Sequence, residues 1–302
     1  MSPTFGSLFA GIGGIDLGLE RAGWEPRWQV EWDPFCQHVL AHHWPDVPRV
    51  GDIADAHGRS ACPVAHAAGD DAPRLRREPR GGGPSDPART ASRAADGPDT
   101  SGVGPRRDGA RPVEVAPGAC PGCLEPVDLI AGGFPCQPVS VAGRQAAQDD
   151  VRWLWPEFAR VVRELRPRLV LVENVRNLLA VNGGSAFGEV VGDLAALGYD
   201  AEWHVVSAAD VGAPHLRERV WIVAHANMAD ASGQRLEGLE QAGAAAGPAD
   251  AGWWAVEPDV GRVAHGVPAR VDRLRALGNA VVPQVVEVIG RRLMAAAQEA
   301  GR

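Results

Sequence analysis

The sequence predicts an α/β fold, a mostly parallel sheet with helices on both faces, and three observations carry that expectation. Residues 4–9 read as a strand that runs through a glycine turn at 10–14 into a helical pattern at 15–22. Two β-rich runs, 168–172 and 219–224, are separated by a stretch of helical period at 186–197. A third apolar run, 127–131, stops at Gly132-Gly133-Phe134-Pro135, as a strand does when it enters a turn. With 302 residues the chain is long enough for one sizeable α/β core and a smaller unit.

Strand, glycine turn and helix together open a nucleotide-binding unit, because glycines permit positive φ and let backbone amides approach a ligand at a helix N-terminus. Residues 28–32 read as a second strand ending in Glu31, about twenty residues past the glycines, where a carboxylate can accept both hydroxyls of a ribose. Gly51-Asp52-Ile53 then offers an acid where a third strand would end, suited to accepting from an adenine amino group.

Between residues 54 and 126 the composition collapses into Gly, Pro, Ala, Arg, Asp and Ser, too little apolar surface to offset ordering entropy. The expectation is a largely disordered insert. Cys62 and His66 at one end and Cys120 and Cys123 at the other could supply four zinc ligands. The first pair is irregular and the gap is long, so spare thiols are the expected reading, with no metal, and zinc is the alternative.

Cys136 stands behind Pro135 on the turn after 127–131, at the mouth of a parallel sheet, where a thiol is placed like a nucleophile; a small buried residue is the alternative. Glu173 and Asn174 end the 168–172 strand, and Arg217 and Arg219 precede or open the 219–224 strand. Residues 226–271 form a second compositional break whose apolar anchor is Trp253-Trp254, expected to pack a small lobe, with contact to nucleic acid as the alternative. A closing amphipathic helix is expected at 281–297, with Val282, Val285, Val286, Ile289 and Leu293 on one side.

The formal net charge is −8, so a nucleic-acid face would have to be a local patch. All thirty cationic residues are arginine. The five cysteines are odd in number and irregularly spaced, which argues against a disulfide framework. No apolar run approaches a membrane span and no leader pattern opens the chain, so a soluble, cytoplasmic protein is expected.

Five blocks in order, Phe9-Ala10-Gly11-Ile12-Gly13-Gly14, Gly133-Phe134-Pro135-Cys136-Gln137-Pro138, Glu173-Asn174-Val175, Arg217-Glu218-Arg219 and Gly278-Asn279-Ala280-Val281-Val282-Pro283, resemble those of DNA cytosine-5 methyltransferases. The resemblance covers about residues 4–53, 127–225 and 271–295. It implies a Rossmann-like S-adenosylmethionine-dependent methyltransferase fold with a small target-recognition lobe. It divides the chain into a catalytic and cofactor-binding domain at 1–225 carrying the 54–126 insert, a target-recognition region at 226–271, and a segment at 272–302 that returns to the catalytic domain.

By the same resemblance Cys136 adds to carbon 6 of a flipped-out cytosine, Glu173 is the general acid at ring nitrogen 3, and Asn174 holds the Cys136 loop. Arg219 contacts the cytosine carbonyl oxygen, Arg217 lies nearer the DNA backbone, and the loop at 137–150 closes over the base. Phe9, Ala10, Gly11, Ile12, Gly13 and Gly14 cradle S-adenosylmethionine, with Glu31 on the ribose, Trp32 beside the adenine, and Asp52 and Ile53 reading it. Pro135, Asn279 and Ala280 complete that pocket.

The departures are Ser7 for a frequent acid, Ala280 for a frequent serine and His215 for a common glutamine. The partner implied is double-stranded DNA, bound by a monomer, with a cognate restriction endonuclease as a functional partner. A transfer-RNA methyltransferase and a catalytically silent DNA-binding relative are the competing readings.

Overall fold

The computed structural model describes residues 2–62, 120, 122–135, 153–226 and 270–299. Its centre is a seven-stranded sheet of order β3-β2-β1-β6-β7-β9-β8. The strands are β1 (Thr4–Leu8), β2 (Glu25–Val30), β3 (Arg49–Val50), β6 (Leu129–Gly132), β7 (Leu169–Val175), β8 (Tyr199–Val206) and β9 (Arg219–Ala226). β3, β2, β1, β6 and β7 run parallel, and β9 is antiparallel to both its neighbours, β7 and β8. A separate two-stranded parallel ladder pairs β4 (His57–Gly58) with β5 (Cys123–Leu124).

Successive side chains of a strand face opposite ways, and the central strands use both faces for core. Phe5, Leu129, Leu171, Trp221 and Val223 pack on one side against Ile15 and Leu19 of α1 (Gly14–Arg21) and Val285, Val286, Ile289 and Leu293 of α6 (Pro283–Glu299). Leu8, Ile130, Val170, Val172 and Ile222 pack on the other, against Phe158, Val161 and Val162 of α3 (Trp155–Leu165) and Ala186, Val190 and Leu194 of α4 (Ser185–Ala196). Among the described residues the other two α-helices are α2 (Pro34–His43) and α5 (Arg270–Asn279).

α1 and α6 cross so closely that a Cβ on Gly18 would enter the Val286 side chain and one on Gly290 would lie 2.9 Å from that of Ala22. The Trp24 indole N–H donates to the Gly290 carbonyl across the same contact (2.9 Å).

The expected strands and helices are found within a few residues of their sequence positions, and further elements join them: α2, α3, α5, β8 and the β4–β5 ladder. α2 begins at Pro34 behind the Asp33 cap, whose carboxylate accepts from the Phe35 and Cys36 amides. α3 and the edge strand β8 complete the two sides of the sheet. Residues 54–62 and 122–126, inside the interval read as insert, are structured, while 63–119 lies outside the described residues. Among the described residues no helix is long and apolar enough to cross a membrane.

Candidate active site

The turn after β1 is built for close approach. Phe9, Gly11 and Gly13 take positive φ of 54°, 58° and 85°, and the Gly13 N–H closes the turn on the Ala10 carbonyl (2.9 Å). A Cβ on Gly11 would meet nothing within 4 Å, so the turn faces open space. Ala10 donates to the Val30 carbonyl (3.1 Å), and Gly14 lies against Val281 from the C-terminal segment. Ile12 is half-buried.

Glu31 sits just past β2, only 8% exposed, with Oε2 accepting from the Gly11 amide (2.7 Å) and Oε1 from the Asp33 amide (2.8 Å). Burial pushes its carboxyl up, and those two amides oppose the rise. Trp32 beside it is 78% exposed, an open aromatic face. Ile53 is 5% exposed, and Asp52 is exposed with its carboxylate accepting from the Ala54 amide (3.0 Å).

Asn279 ends α5 and is exposed. The adjoining backbone is gripped by Arg217, whose Nη2 donates to the carbonyls of Gly278 (2.7 Å) and Ala280. Arg275 of α5 pairs with Asp33 at the start of α2. Arg217, expected near the DNA backbone, thus spends donors on holding the C-terminal segment over the turn.

The second half of the site gathers at the ends of β6 and β7. Arg219, at the start of β9, pairs its Nε with Glu173 Oε1 at 3.0 Å. Glu173 is 8% exposed; burial pushes its carboxyl up to about 7, against the charges of Arg219 and Arg217, which pull it down. The backbone after β6 lies against it, since a Cβ on Gly133 would stand 2.7 Å from Glu173 Oε2. Asn174 is buried, its Nδ2 donating to the Phe134 carbonyl (3.2 Å) and its Oδ1 accepting from Val175 (2.8 Å), which clamps the turn that delivers Pro135.

Cys136 itself, with 137–150, lies outside the described residues, as do Trp253, Trp254 and His66. Pro135, the residue before Cys136, is half-buried.

An aromatic brace connects the two halves. Phe9 stacks on Phe158 (6.5 Å), Phe158 on Trp155 (5.5 Å), and Phe134 meets both Trp155 (5.6 Å) and Trp153 (5.2 Å). The two indoles are fixed to α4 by hydrogen bonds to Glu189 (3.0 Å) and Asp193 (2.9 Å).

Ser7, where an acid is frequent, is also explained. Its Oγ donates to Asp16 Oδ2 (3.0 Å) while Gln29 donates to Asp16 Oδ1 (2.8 Å), so a buried carboxylate reaches this position from α1. Burial raises Asp16 to about 6.

The fold and these two joined half-sites define a Rossmann-like methyltransferase. The model of C-5 cytosine-specific DNA methylases matches residues 4–66 and 121–244, more than half of the chain, and the chain belongs to that family. It is 29% identical over 227 residues to the type II methyltransferase M.AquIA of Picosynechococcus, covering 72% of this chain and 69% of that one. To the type II methyltransferase M.HhaI of Haemophilus parahaemolyticus it is 26% identical over 224 residues, covering 74% of this chain and 49% of the relative. The solved structure of Spodoptera frugiperda DNMT2 matches with a TM-score of 0.44 at 15% identity, over 78% of this chain and 54% of the other. The chain thus spans from about half to two thirds of the length of these relatives.

Proposed function

We propose that this protein methylates carbon 5 of a cytosine flipped out of a specific duplex DNA sequence, through a transient bond between Cys136 and carbon 6. The observation that carries the reading is a nearly buried carboxyl, Glu173, raised into the neutral range and held by Arg219 against the backbone two residues from Pro135.

Carbon 5 of cytosine is a poor nucleophile until a thiolate adds at carbon 6, and that addition loads electron density onto ring nitrogen 3. A carboxyl with a pKa near neutrality can hold the proton that this nitrogen takes up. The Arg219 guanidinium keeps the carboxyl in position and offers donors to the adjacent carbonyl oxygen. Asn174, through the Phe134 carbonyl, fixes the turn from which Cys136 attacks.

The pocket around Glu31 fits S-adenosylmethionine. When bound, that cofactor supplies an electrophilic methyl group. The open turn of Phe9, Ala10, Gly11, Ile12, Gly13 and Gly14 would hold its amino-acid end, Glu31 its ribose, Trp32, Asp52 and Ile53 its base, and Pro135, Asn279 and Ala280 would close over it. Residues 226–271 would read the DNA sequence, and a monomer with a cognate restriction endonuclease as functional partner fits the type II names of the relatives. Those names, and the DNA methylase family, favour DNA over transfer RNA.

Transfer of labelled methyl groups to duplex DNA or to transfer RNA separates the substrates. With DNA containing 5-fluorocytosine the protein should form a covalent adduct at Cys136, and Cys136→Ser should form none. Methylation by the serine variant at the parental rate would overturn the scheme.

A further inference from the structure

A second group of reactive side chains gathers outside the residues of the active site. In the β4–β5 ladder His57 is paired with Cys123, and the His57 N–H donates to the Gly122 carbonyl (2.9 Å). The Cys123 N–H donates back to the Cys120 carbonyl (3.1 Å), closing a tight turn. At its tip a Cβ on Gly122 would collide with the Asp55 carbonyl oxygen and stand 2.9 Å from His57 Cε1, so glycine is required for the approach.

The ligand atoms of His57, Cys62, Cys120 and Cys123 all lie within 4.8 Å of one another, and none of these cysteines forms a disulfide. His57 Nε2 is 3.2 Å from Cys120 Sγ and 3.5 Å from Cys123 Sγ.

We propose that these four side chains bind one structural zinc ion. In a tetrahedral site with Zn–N near 2.1 Å and Zn–S near 2.3 Å, nitrogen and sulfur stand about 3.6 Å apart, close to the spacing found. His57 is preset for the task. Its Nδ1 lies 2.7 Å from the Asp55 carbonyl, an obligate acceptor, so Nδ1 carries the proton and the Nε2 lone pair faces the thiols. Three thiols give up their protons on binding, and three thiolates with one neutral imidazole leave no coordination position for a substrate, which marks the site as structural. A multi-iron cluster spreads its ligand atoms wider than this group allows.

The ion would staple the chain just after Asp52-Ile53 to the chain entering β6, closing residues 63–119 at their base. The stapled ladder is already docked on α3, where Glu164 accepts from the Gly58 amide (2.9 Å) and Arg160 donates to the Ile53 carbonyl (2.7 Å). This site is independent of the methylation reaction, since neither Glu173 nor Cys136 takes part in it.

The full chain, purified without chelator, should contain about one zinc per molecule by mass spectrometry. His57→Ala and Cys120→Ser should lose it, whereas His66→Ala should keep it. X-ray absorption at the zinc edge of the unaltered protein should give three sulfurs and one nitrogen, a readout that does not depend on any variant folding. Absence of zinc with a Cys120–Cys123 disulfide in its place, retention of full metal by His57→Ala, or a shell of another composition would each overturn the assignment.

Discussion

Glu173 and Arg219 are joined at 3.0 Å across the β7–β9 pair, and the carboxyl is raised in spite of that cation. Desolvation outweighs the ion pair, so the proton is held where a general acid needs it. Glu173→Gln should lower turnover by roughly 10²–10⁴ while binding the cofactor as the parent does. Single-turnover methylation with a separate binding titration checks both.

The same carboxyl sets a pH limb. A group that must donate works in its protonated form, so turnover should fall as pH rises through about 7, and Glu173→Gln should lack that limb. A pH–rate profile in which both proteins decline together would count against Glu173.

Gly133→Ala tests the contact from the other side. Its methyl group would stand 2.7 Å from Glu173 Oε2 and push the carboxyl or the Cys136 turn aside. A misplacement of this kind should cost roughly 10²-fold in turnover with the cofactor affinity retained, measured as kcat and Kd.

Stability should also depend on pH through Asp16. Its folded pKa is raised to about 6 from an ordinary 3.8, so the folded state binds the proton more tightly. The contribution is fully present below 3.8 and is lost as pH rises through 6. Asp16→Asn keeps a donor for Ser7 and an acceptor for Gln29, so it should gain about 3 kcal/mol over the parent at neutral pH and almost nothing at pH 4. Urea unfolding at the two pH values reads the difference.

Arg217→Ala should weaken cofactor binding about tenfold or more, because two carbonyls of the Gly278–Ala280 segment lose a charged donor. Isothermal titration checks this, with kcat at saturating cofactor showing how much of the loss lies in binding.

How legible each part was follows from the range of the interaction that makes it. Glu31 was readable because its partner, the Gly11 turn, belongs to the same local strand–turn–helix unit. The family blocks single out Glu173 and Arg219 but not their contact, since an antiparallel strand inserted beside a parallel one leaves no mark in spacing. α3 carries helical spacing at Trp155, Phe158 and Val162 with Pro156 in its first turn, local signals of a helix that the family blocks, which skip this stretch, do not point to. β8 alternates buried and exposed residues only loosely and reads weakly as an edge strand. His57 could not be found by motif at all: Cys62 and the Cys120–Cys123 pair are visible, but only the parallel β4–β5 ladder places this histidine beside them.

The Gly18–Gly290 crossing has a consequence for biosynthesis. The first βα unit buries Leu19 and Trp24 under a helix whose Gly290 lies 266 residues further along the chain than Trp24, and Gly14 leans on Val281. Until translation has run past Leu293, the glycine turn lacks its backing, and a nascent chain still on the ribosome holds an unfinished pocket.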